Sequence, residues 1–372
     1  MAGTIGESRA LLIELGTEEL PAQFLQKALG SLPGTVTALL ERERLGHGEV
    51  RALGTPRRIA LIVDDLAPAQ PDDQKDVTGP PEKAALDPAT GSFTQAALKF
   101  AARYGAGAAD LRIVDGPKGR AVGLTVRTPG RPAADVLATL VPEFFSERSL
   151  PYPHSMYWGA HTGPFVRPIH WLVVMLGAEV VDVTLHGIRS GRTTRGHRFH
   201  DGAEAQIRDA SSYLETLEGR HVTVDPAARR MQLESGLARI AEEAGASLVR
   251  DDDLVEEVVA LTEKPVPVLG SFDRGFLDLP EQIVITAMAV HQRYFALRDP
   301  VDGRLISSFV AVANTDPGDK APLRRGFERV LAARLEDARF CYTEDARDPL
   351  ATRVQSLAGM VFQSGMGTYL DK

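Results

Sequence analysis

The sequence has little cysteine and no long apolar run. Of 372 residues only Cys341 is a cysteine, which excludes an intrachain disulfide and a four-cysteine zinc site. Residues 1–10 include two charged residues and no apolar core of signal-peptide length. The apolar stretches, such as 59–63 and 171–176, are far shorter than the roughly 20 residues that a membrane-spanning helix needs. We therefore expect a soluble, cytoplasmic protein without a membrane segment.

Catalytic motifs are missing as well. The chain contains no Walker-type phosphate loop, no G-x-G-x-x-G after a strand and no G-x-S-x-G elbow. Adjacent carboxylates such as Glu18 and Glu19 point about 100° apart on a helix, so they do not form an acid–base pair. We expect no catalytic residue and no metal ion in this chain. A metal site formed by His186, His197, His200 and Asp201 is an alternative, which the neighbouring arginines disfavour.

The alternation of short apolar runs and helical periodicities predicts an α+β fold, with mixed sheets, packed helices and at least two subdomains. We predict strands at 11–15, 59–63, 169–176, 266–269 and 307–313, and a hairpin over 111–126. Helices are expected at 24–32, 203–217, 226–244, 251–261 and 323–340, and a long loop at 67–91. The predicted regions are 1–150, 151–345 and a connecting segment, 346–372.

The segment 186–200 is the most unusual part of the sequence. Arg189, Arg192, Arg195 and Arg198 recur at every third residue, among glycines, threonines and serine, with no acidic residue before position 201. Guanidinium groups suit phosphate because they donate two parallel hydrogen bonds. One interpretation is a contact with an RNA backbone, with Phe199 stacked on a base or packed on the core. The other is a set of ion pairs within this protein or with a partner, since the net charge is −8.

Two further basic groups are candidates for the same role. Arg57 and Arg58 lie in a predicted turn before the strand at 59–63. A predicted helix carries Arg325 and Arg329 together with Lys320, Arg324 and Arg334. For both groups the plainer interpretation is a solvated turn or helix face.

Nine sequence segments in a fixed order are informative together. They are LIELGTEELP (12–21), TPRR (55–58), GPP (79–81), FVRPIHW (165–171), SGRTTRGHRF (190–199), HQRYF (291–295), ERVL (328–331), ARL (333–335) and GT (367–368). In this order they resemble the β subunit of bacterial heterotetrameric glycyl-tRNA synthetase. The resemblance covers residues 11–372 and lies in the N-terminal half of that family. Tyr157 and Phe327 depart from the family pattern.

The resemblance implies a part in the reaction of ATP, glycine and tRNA(Gly) to glycyl-tRNA, AMP and diphosphate. In this family the α subunit carries the adenylation site, to which ATP and Mg²⁺ would bind, and an α2β2 heterotetramer is implied. The β subunit supplies tRNA binding and assembly, and its central part is similar to the B3/B4 domain of phenylalanyl-tRNA synthetase. The candidate tRNA contacts are then Arg57, Arg58, Arg189, Arg192, Arg195, Arg198, Arg325 and Arg329. Family members continue through an HD-type domain and an anticodon-binding domain.

Two other functions stay open on the sequence alone. One is a stand-alone hydrolase of mischarged tRNA, for which His197 with Thr193 or Thr194 would be the candidate residues. Glycine is the smallest amino acid, which gives little reason for editing by size exclusion. The other is a scaffold without catalytic role.

Overall fold

A computed structural model describes residues 7–88, 90–116, 119–151, 155–159, 163–200 and 202–372. Its N-terminal segment is a strand, a long helix and a hairpin. The first strand is apolar on both faces and is buried from Leu11 onward, including the carboxylate of Glu14. The strand and helix predicted here are confirmed. The elements are β1 (Arg9–Thr17), α1 (Ala22–Arg42), β2 (Val50–Thr55) and β3 (Arg58–Leu66).

A small three-stranded sheet with two helices is inserted after β3, with its third strand between the other two. The predicted hairpin is confirmed, although its turn residues 117 and 118 lie outside the described residues. The loop predicted over 67–91 is wrong. Residues 73–81 pair with the middle strand by backbone hydrogen bonds, and their polar side chains stay exposed at the sheet edge. The elements are β4 (Asp73–Pro81), α2 (Glu82–Ala85), α3 (Gln95–Arg103), β5 (Arg112–Gly116) and β6 (Gly119–Thr128).

The first sheet is completed by strands from the next part of the chain. After α4 (Ala133–Phe144), strands β7 (Ile169–Leu176) and β8 (Glu179–Val180) give the five-stranded antiparallel order β2-β3-β1-β7-β8. The boundary predicted at residue 150 therefore falls within the polypeptide that builds one sheet. Helices α1 and α4 cover one face of this sheet, and a smaller cluster with Tyr213 and Leu217 covers the other.

The arginine-rich segment crosses the end of this sheet as short strands. Gly191 bridges Val173 of β7, and its N–H donates to the carbonyl of Leu172 at 2.9 Å. The helix predicted over 203–217 is wrong in its first half, because Ala205 is buried in a strand that pairs with Thr194. The elements are β9 (Thr184–Leu185), β10 (Ile188–Arg189), β11 (Thr193–Arg195), β12 (Glu204–Gln206) and α5 (Tyr213–Glu218).

A four-stranded antiparallel sheet forms the second large unit, in the order β13-β15-β16-β14. Helices α6 and α7 pack on one face through Leu237 and Val258, and a second cluster with Met288 and Phe309 covers the other. The helices and strands predicted here are confirmed. The elements are α6 (Pro226–Glu243), β13 (Ser247–Leu248), α7 (Asp252–Leu261), β14 (Val266–Ser271), α8 (Glu281–Thr286), β15 (Phe295–Arg298) and β16 (Leu305–Ala313).

The chain ends in a long helix, α9 (Ala321–Arg347), followed by the short α10 (Leu350–Arg353). Of the residues in α9 only Leu331 and Leu335 are buried, against the second large unit. The predicted α+β class is confirmed. The division into three regions and the B3/B4 likeness stay predictions. Within the described ranges no helix is both long and apolar enough to cross a membrane.

Candidate nucleic-acid interface

The arginines of segment 186–200 are engaged on the protein's own surface. Arg189 donates two hydrogen bonds, of 2.8 and 2.9 Å, to the carboxylate of Asp182, and both side chains remain mostly exposed. The hydrogen bond from Arg189 holds the pKa of the Asp182 carboxyl below its usual range. Arg192 donates to the carbonyl of Ala178 at 2.9 Å. These contacts hold the segment against the turn that follows β7.

Arg198 makes the most extensive contacts of the four. Its guanidinium donates to Glu18 and to Glu19, each at 2.7 Å. The hydrogen bond from Arg198 lowers the pKa of Glu18 from 4.5 to about 2, against an opposing effect of burial. His170 also contacts the Glu18 carboxylate at 2.9 Å. Arg198 thus joins the arginine segment to the turn between β1 and α1.

Arg195 stacks rather than pairs. Its guanidinium carbon lies 5.2 Å from the centre of the Trp171 ring, within the range of a cation–π contact. The nearest carboxylate oxygen, on Glu204, is 3.7 Å away. The side chain remains about a third exposed. Trp171 therefore fixes the stem of Arg195 and leaves part of the charge accessible to solvent.

Beneath this segment lies a buried polar cluster that joins the two large units. Arg58 is fully buried, with Glu14 at 3.6 Å and Glu263 at 3.2 Å. Burial alone would lower the pKa of Arg58, but Glu263 and Glu14 raise it. The Thr194 hydroxyl donates to the Glu14 carboxylate, as does the Trp171 indole N–H. The cluster is internal to the protein.

The tRNA contacts predicted for Arg57 and Arg58 do not fit this burial. Arg58 has no exposed surface, and only 7% of the surface of Arg57 is exposed. Burial lowers the pKa of Arg57, and this effect outweighs the influence of Glu263. Their distant partners could not be predicted from local sequence, since Glu263 is 205 residues from Arg58. Both residues belong to the junction of the two units.

Helix α9 presents the opposite situation. Arg325 and Arg329 are exposed, and in the described part of the chain neither forms an ion pair or a side-chain hydrogen bond. Exposed Arg324 and half-buried Lys320 likewise form no ion pair or side-chain hydrogen bond within the described ranges, and both line a cavity of about 250 Å³ between α6, β14 and the start of α9. The first turns of α9 therefore carry a group of cations that form no ion pair with the described part of the chain.

The histidines considered for metal binding or hydrolysis are held in other contacts. The rings of His197, His200 and His221 form a column with centres 4.8 and 5.0 Å apart. Buried His197 contacts the side-chain oxygen of Asn314 at 3.3 Å, and burial lowers its pKa. Among the described residues no group of three or more acidic, cysteine or histidine side chains is placed to hold a metal ion. Asp201 lies outside the described residues.

The exposure of Phe199 and the burial of Glu14 were not predicted from the sequence. Phe199, expected more readily on the core, is 70% exposed beside His197. Glu14 was overlooked, although a single carboxylate inside the apolar run LLIEL signals a buried partner. Glu263 and Asn314 carry no such signal, because their partners come from other parts of the chain.

Comparison with known proteins defines the class. The family described as "Glycyl-tRNA synthetase beta subunit" matches residues 11–372. The chain belongs to this family. It is 42% identical over 365 residues to the glycine–tRNA ligase beta subunit of Myxococcus xanthus, covering 98% of this chain and 51% of that protein.

Two other relatives have similar overlap. Identity is 40% with the glycine–tRNA ligase beta subunit of Geobacter metallireducens, over 98% of this chain and 52% of the relative. Identity is 38% with the glycine–tRNA ligase beta subunit of Bacillus subtilis, over 97% of this chain and 52% of that relative. The chain spans about half the length of these relatives, and the match lies in their N-terminal half.

Proposed function

We propose that this chain is the N-terminal part of a glycine–tRNA ligase β subunit and contributes tRNA binding and assembly. The complete ligase would join ATP, glycine and tRNA(Gly) to give glycyl-tRNA, AMP and diphosphate. The observation that carries the proposal is the match of 98% of the chain to proteins with that name, at 42% identity in the case of Myxococcus xanthus.

The adenylation chemistry belongs, in this proposal, to an α subunit in an α2β2 assembly in the cytoplasm. ATP and Mg²⁺ would bind that partner. The chain has only Gly326, Phe327, Glu328 and Arg329 in the place of a class II Gly-rich motif, without the preceding glycines. Glu328 accepts hydrogen bonds from the backbone N–H and the hydroxyl of Ser271, both at 3.1 Å, so its carboxylate has a structural role.

The cations of α9 are the part of the surface best suited to phosphate. Arg325 and Arg329 are exposed and unpaired within the described ranges, so a phosphate contact there displaces only water and counterions. Lys320 and Arg324 extend the same group of charges at the start of the helix.

The arginine segment is proposed as a second tRNA contact, in which phosphate competes with the protein's own carboxylates. Arg189 and Arg198 already hold carboxylates, but these ion pairs are exposed at the surface. Exposed ion pairs of this kind contribute little to stability, so a phosphate can replace the carboxylate at low cost. Arg192 and Arg195 have no ion pair shorter than 3.7 Å among the described residues. These four residues are accessible to phosphate, whereas Arg57 and Arg58 are buried.

A binding experiment tests the proposal directly. Labelled tRNA(Gly) is titrated with the purified chain, with and without the α subunit of a glycine–tRNA ligase, and the affinity is measured at several salt concentrations. We expect the logarithm of the association constant to fall linearly with the logarithm of the salt concentration. Failure to bind either the tRNA or the α subunit would refute the proposed role.

The hydrolase alternative gains no support from the geometry. The Thr194 hydroxyl is held by the Glu14 carboxylate, and His197 contacts Asn314 rather than a threonine. The scaffold alternative differs from our proposal only in tRNA binding, so the same titration separates the two.

A further inference from the structure

Arg198 and Phe199 lie side by side at the tip of one tight turn. The His200 backbone N–H donates to the His197 carbonyl at 3.2 Å, so the two residues between them occupy the centre of a β-turn. Both central residues are exposed, and 70% of the surface of Phe199 is open to solvent. The turn therefore presents one guanidinium and one aromatic ring on the outside of the arginine segment.

Contacts with the second large unit hold the base of this turn. Nδ1 of buried His197 accepts a hydrogen bond of 3.2 Å from the Phe199 backbone N–H, and Nε2 of the same ring contacts the Asn314 side-chain oxygen at 3.3 Å. Nε2 of His200 accepts a hydrogen bond of 3.0 Å from the Asp316 backbone N–H. Phe199 is thus fixed at its backbone although its side chain is exposed.

The Phe199 ring belongs to a row of neighbouring rings. Its centre lies 6.1 Å from that of His197, and the two rings are tilted by 53°. His197 in turn contacts His200, and His200 contacts His221. The tilted contact with His197 orients the Phe199 ring while most of the residue remains exposed. An oriented, exposed aromatic ring is a platform on which an unpaired base can stack.

The groups around the turn are polar and partly cationic. The Lys264 ammonium lies 3.3 Å from Nδ1 of His221, at the other end of the row of rings. Glu18 and Glu19 accept hydrogen bonds from Arg198, which weakens their repulsion of a phosphate. The aromatic anchors of protein interfaces usually lie in well-packed, desolvated pockets. An exposed ring beside basic side chains instead matches a nucleic acid, which has flat bases and anionic phosphates.

Only some of the nucleotides in an RNA can use such a ring. Bases inside an A-form helix are stacked on one another, so their faces are closed to side chains. Unpaired bases can turn outward and stack on an aromatic ring. A tRNA contains both kinds of nucleotide. Phe199 therefore favours unpaired nucleotides, whereas an arginine alone contacts phosphates of either kind.

We propose that the turn at residues 197–200 binds an unpaired nucleotide of the tRNA, with the base stacked on Phe199 and a phosphate at Arg198. The inference rests on the proposed tRNA binding and adds the kind of nucleotide that the arginine segment recognises. Stacking on an aromatic side chain is tolerant of base identity and is worth roughly 5- to 150-fold in affinity. Phe199 therefore strengthens binding without reading the base sequence.

Two RNA ligands test the inference. Labelled tRNA(Gly) and a fully paired RNA duplex are each titrated with the unmodified chain and with Phe199→Leu. Leucine keeps an apolar side chain but removes the aromatic face, so the affinity for tRNA(Gly) should fall about fivefold or more. The affinity for the duplex should stay the same. The salt dependence of tRNA binding should keep its slope, because the substitution removes no charge.

Two further variants serve as rescue and control. Phe199→Trp restores an aromatic face and should bind tRNA(Gly) as tightly as the unmodified chain. Its added indole should also lose fluorescence when tRNA binds, beyond any change in the unmodified chain. Phe340→Leu is the matched control, since Phe340 is 67% exposed on α9, and it should leave both affinities unchanged. All three variants should have the melting temperature of the unmodified chain, because each changes an exposed side chain.

A shortened tRNA shows which part of the molecule supplies the nucleotide. The titrations are repeated with tRNA(Gly) from which the unpaired 3′ end has been removed. If that end supplies the nucleotide, the shortened tRNA binds the unmodified chain and Phe199→Leu equally. If a loop supplies it, the difference between the two proteins persists.

Three results would overturn the inference and leave the proposed tRNA binding intact. They are equal affinity of Phe199→Leu and the unmodified chain for tRNA(Gly), an equal loss of affinity for tRNA(Gly) and the duplex, and a loss of α-subunit binding with tRNA binding unchanged. The last result would make the turn a protein interface. A chain that binds no tRNA refutes the proposed function and the stacking contact together.

Discussion

The carboxylate of Glu14 lies 3.6 Å from the guanidinium of Arg58, and neither side chain has any exposed surface. Glu263 contacts the same guanidinium from the other side at 3.2 Å. Glu14 and Arg58 belong to the five-stranded sheet, whereas Glu263 lies between α7 and β14 of the second large unit. One buried cation therefore fixes the relative position of the two large units beneath the arginine segment.

Replacement of Arg58 by methionine should strongly destabilise the protein. The change leaves Glu14 and Glu263 buried without their cation, which costs about 3–5 kcal/mol in the free energy of unfolding. Urea denaturation measures the effect. Arg239→Met is the matched control, because Arg239 forms only an exposed pair with Glu243 and its loss should have little effect. Equal stability of the two variants would show that the buried cluster does not stabilise the junction of the two units.

The contribution of Glu18 to stability should depend on pH. The hydrogen bond from Arg198 lowers its pKa from 4.5 to about 2, so the stabilisation is complete above pH 4.5 and is lost as pH falls toward 2. The difference in unfolding free energy between the unmodified chain and Glu18→Gln should be constant from pH 7 to about 5. It should then shrink at lower pH. Because Glu18 is about a third exposed, we expect less than about 1 kcal/mol. A difference that grows on acidification would contradict this account.

The double variant Arg325→Gln with Arg329→Gln should weaken tRNA binding and flatten its salt dependence. Each lost phosphate contact reduces the slope of the logarithmic plot by about one. The measurement is a filter-binding titration at four or more salt concentrations. Arg304→Gln serves as the control, since its side chain is 86% exposed on a turn between β15 and β16. Equal slopes for the double variant and the control would remove α9 from the interface.

Release of Arg198 should reveal whether the arginine segment takes part. Glu18→Gln with Glu19→Gln removes the charges that hold Arg198, so its guanidinium becomes available to phosphate. We expect tRNA affinity to rise a few fold. Adding Arg198→Gln should cancel this gain in affinity, because the gain requires the released guanidinium. The comparison forms a mutant cycle that measures the coupling between Arg198 and the two carboxylates. A gain that survives this third change would reflect a general loss of negative charge.

Local patterns predicted much of the secondary structure. The apolar run at 11–15, the spacing of Phe24 and Leu32, and the periodicity of α9 each follow from their own neighbours in sequence. The edge strand β4 was not predictable in this way. Five of its nine residues are polar and two are prolines, and only backbone hydrogen bonds to β6 define it.

The candidate interface shows the same limit. The spacing of the four arginines is visible in the sequence, but their partners are not. Arg198 pairs with carboxylates 179 and 180 residues away, and Arg58 with one 205 residues away. Which cations remain free is settled by such long-range contacts, so Arg58 and Arg325 looked alike before the fold was known.

A chimeric ligase tests the central claim most directly. The N-terminal half of the Myxococcus xanthus subunit is replaced by this chain, and charging of tRNA(Gly) with glycine is assayed with the cognate α subunit. We predict charging that depends on both subunits and falls at least tenfold in the Arg325→Gln and Arg329→Gln double variant. Formation of glycyl-adenylate by this chain alone, or a folded chimera that binds neither α subunit nor tRNA, would contradict the account.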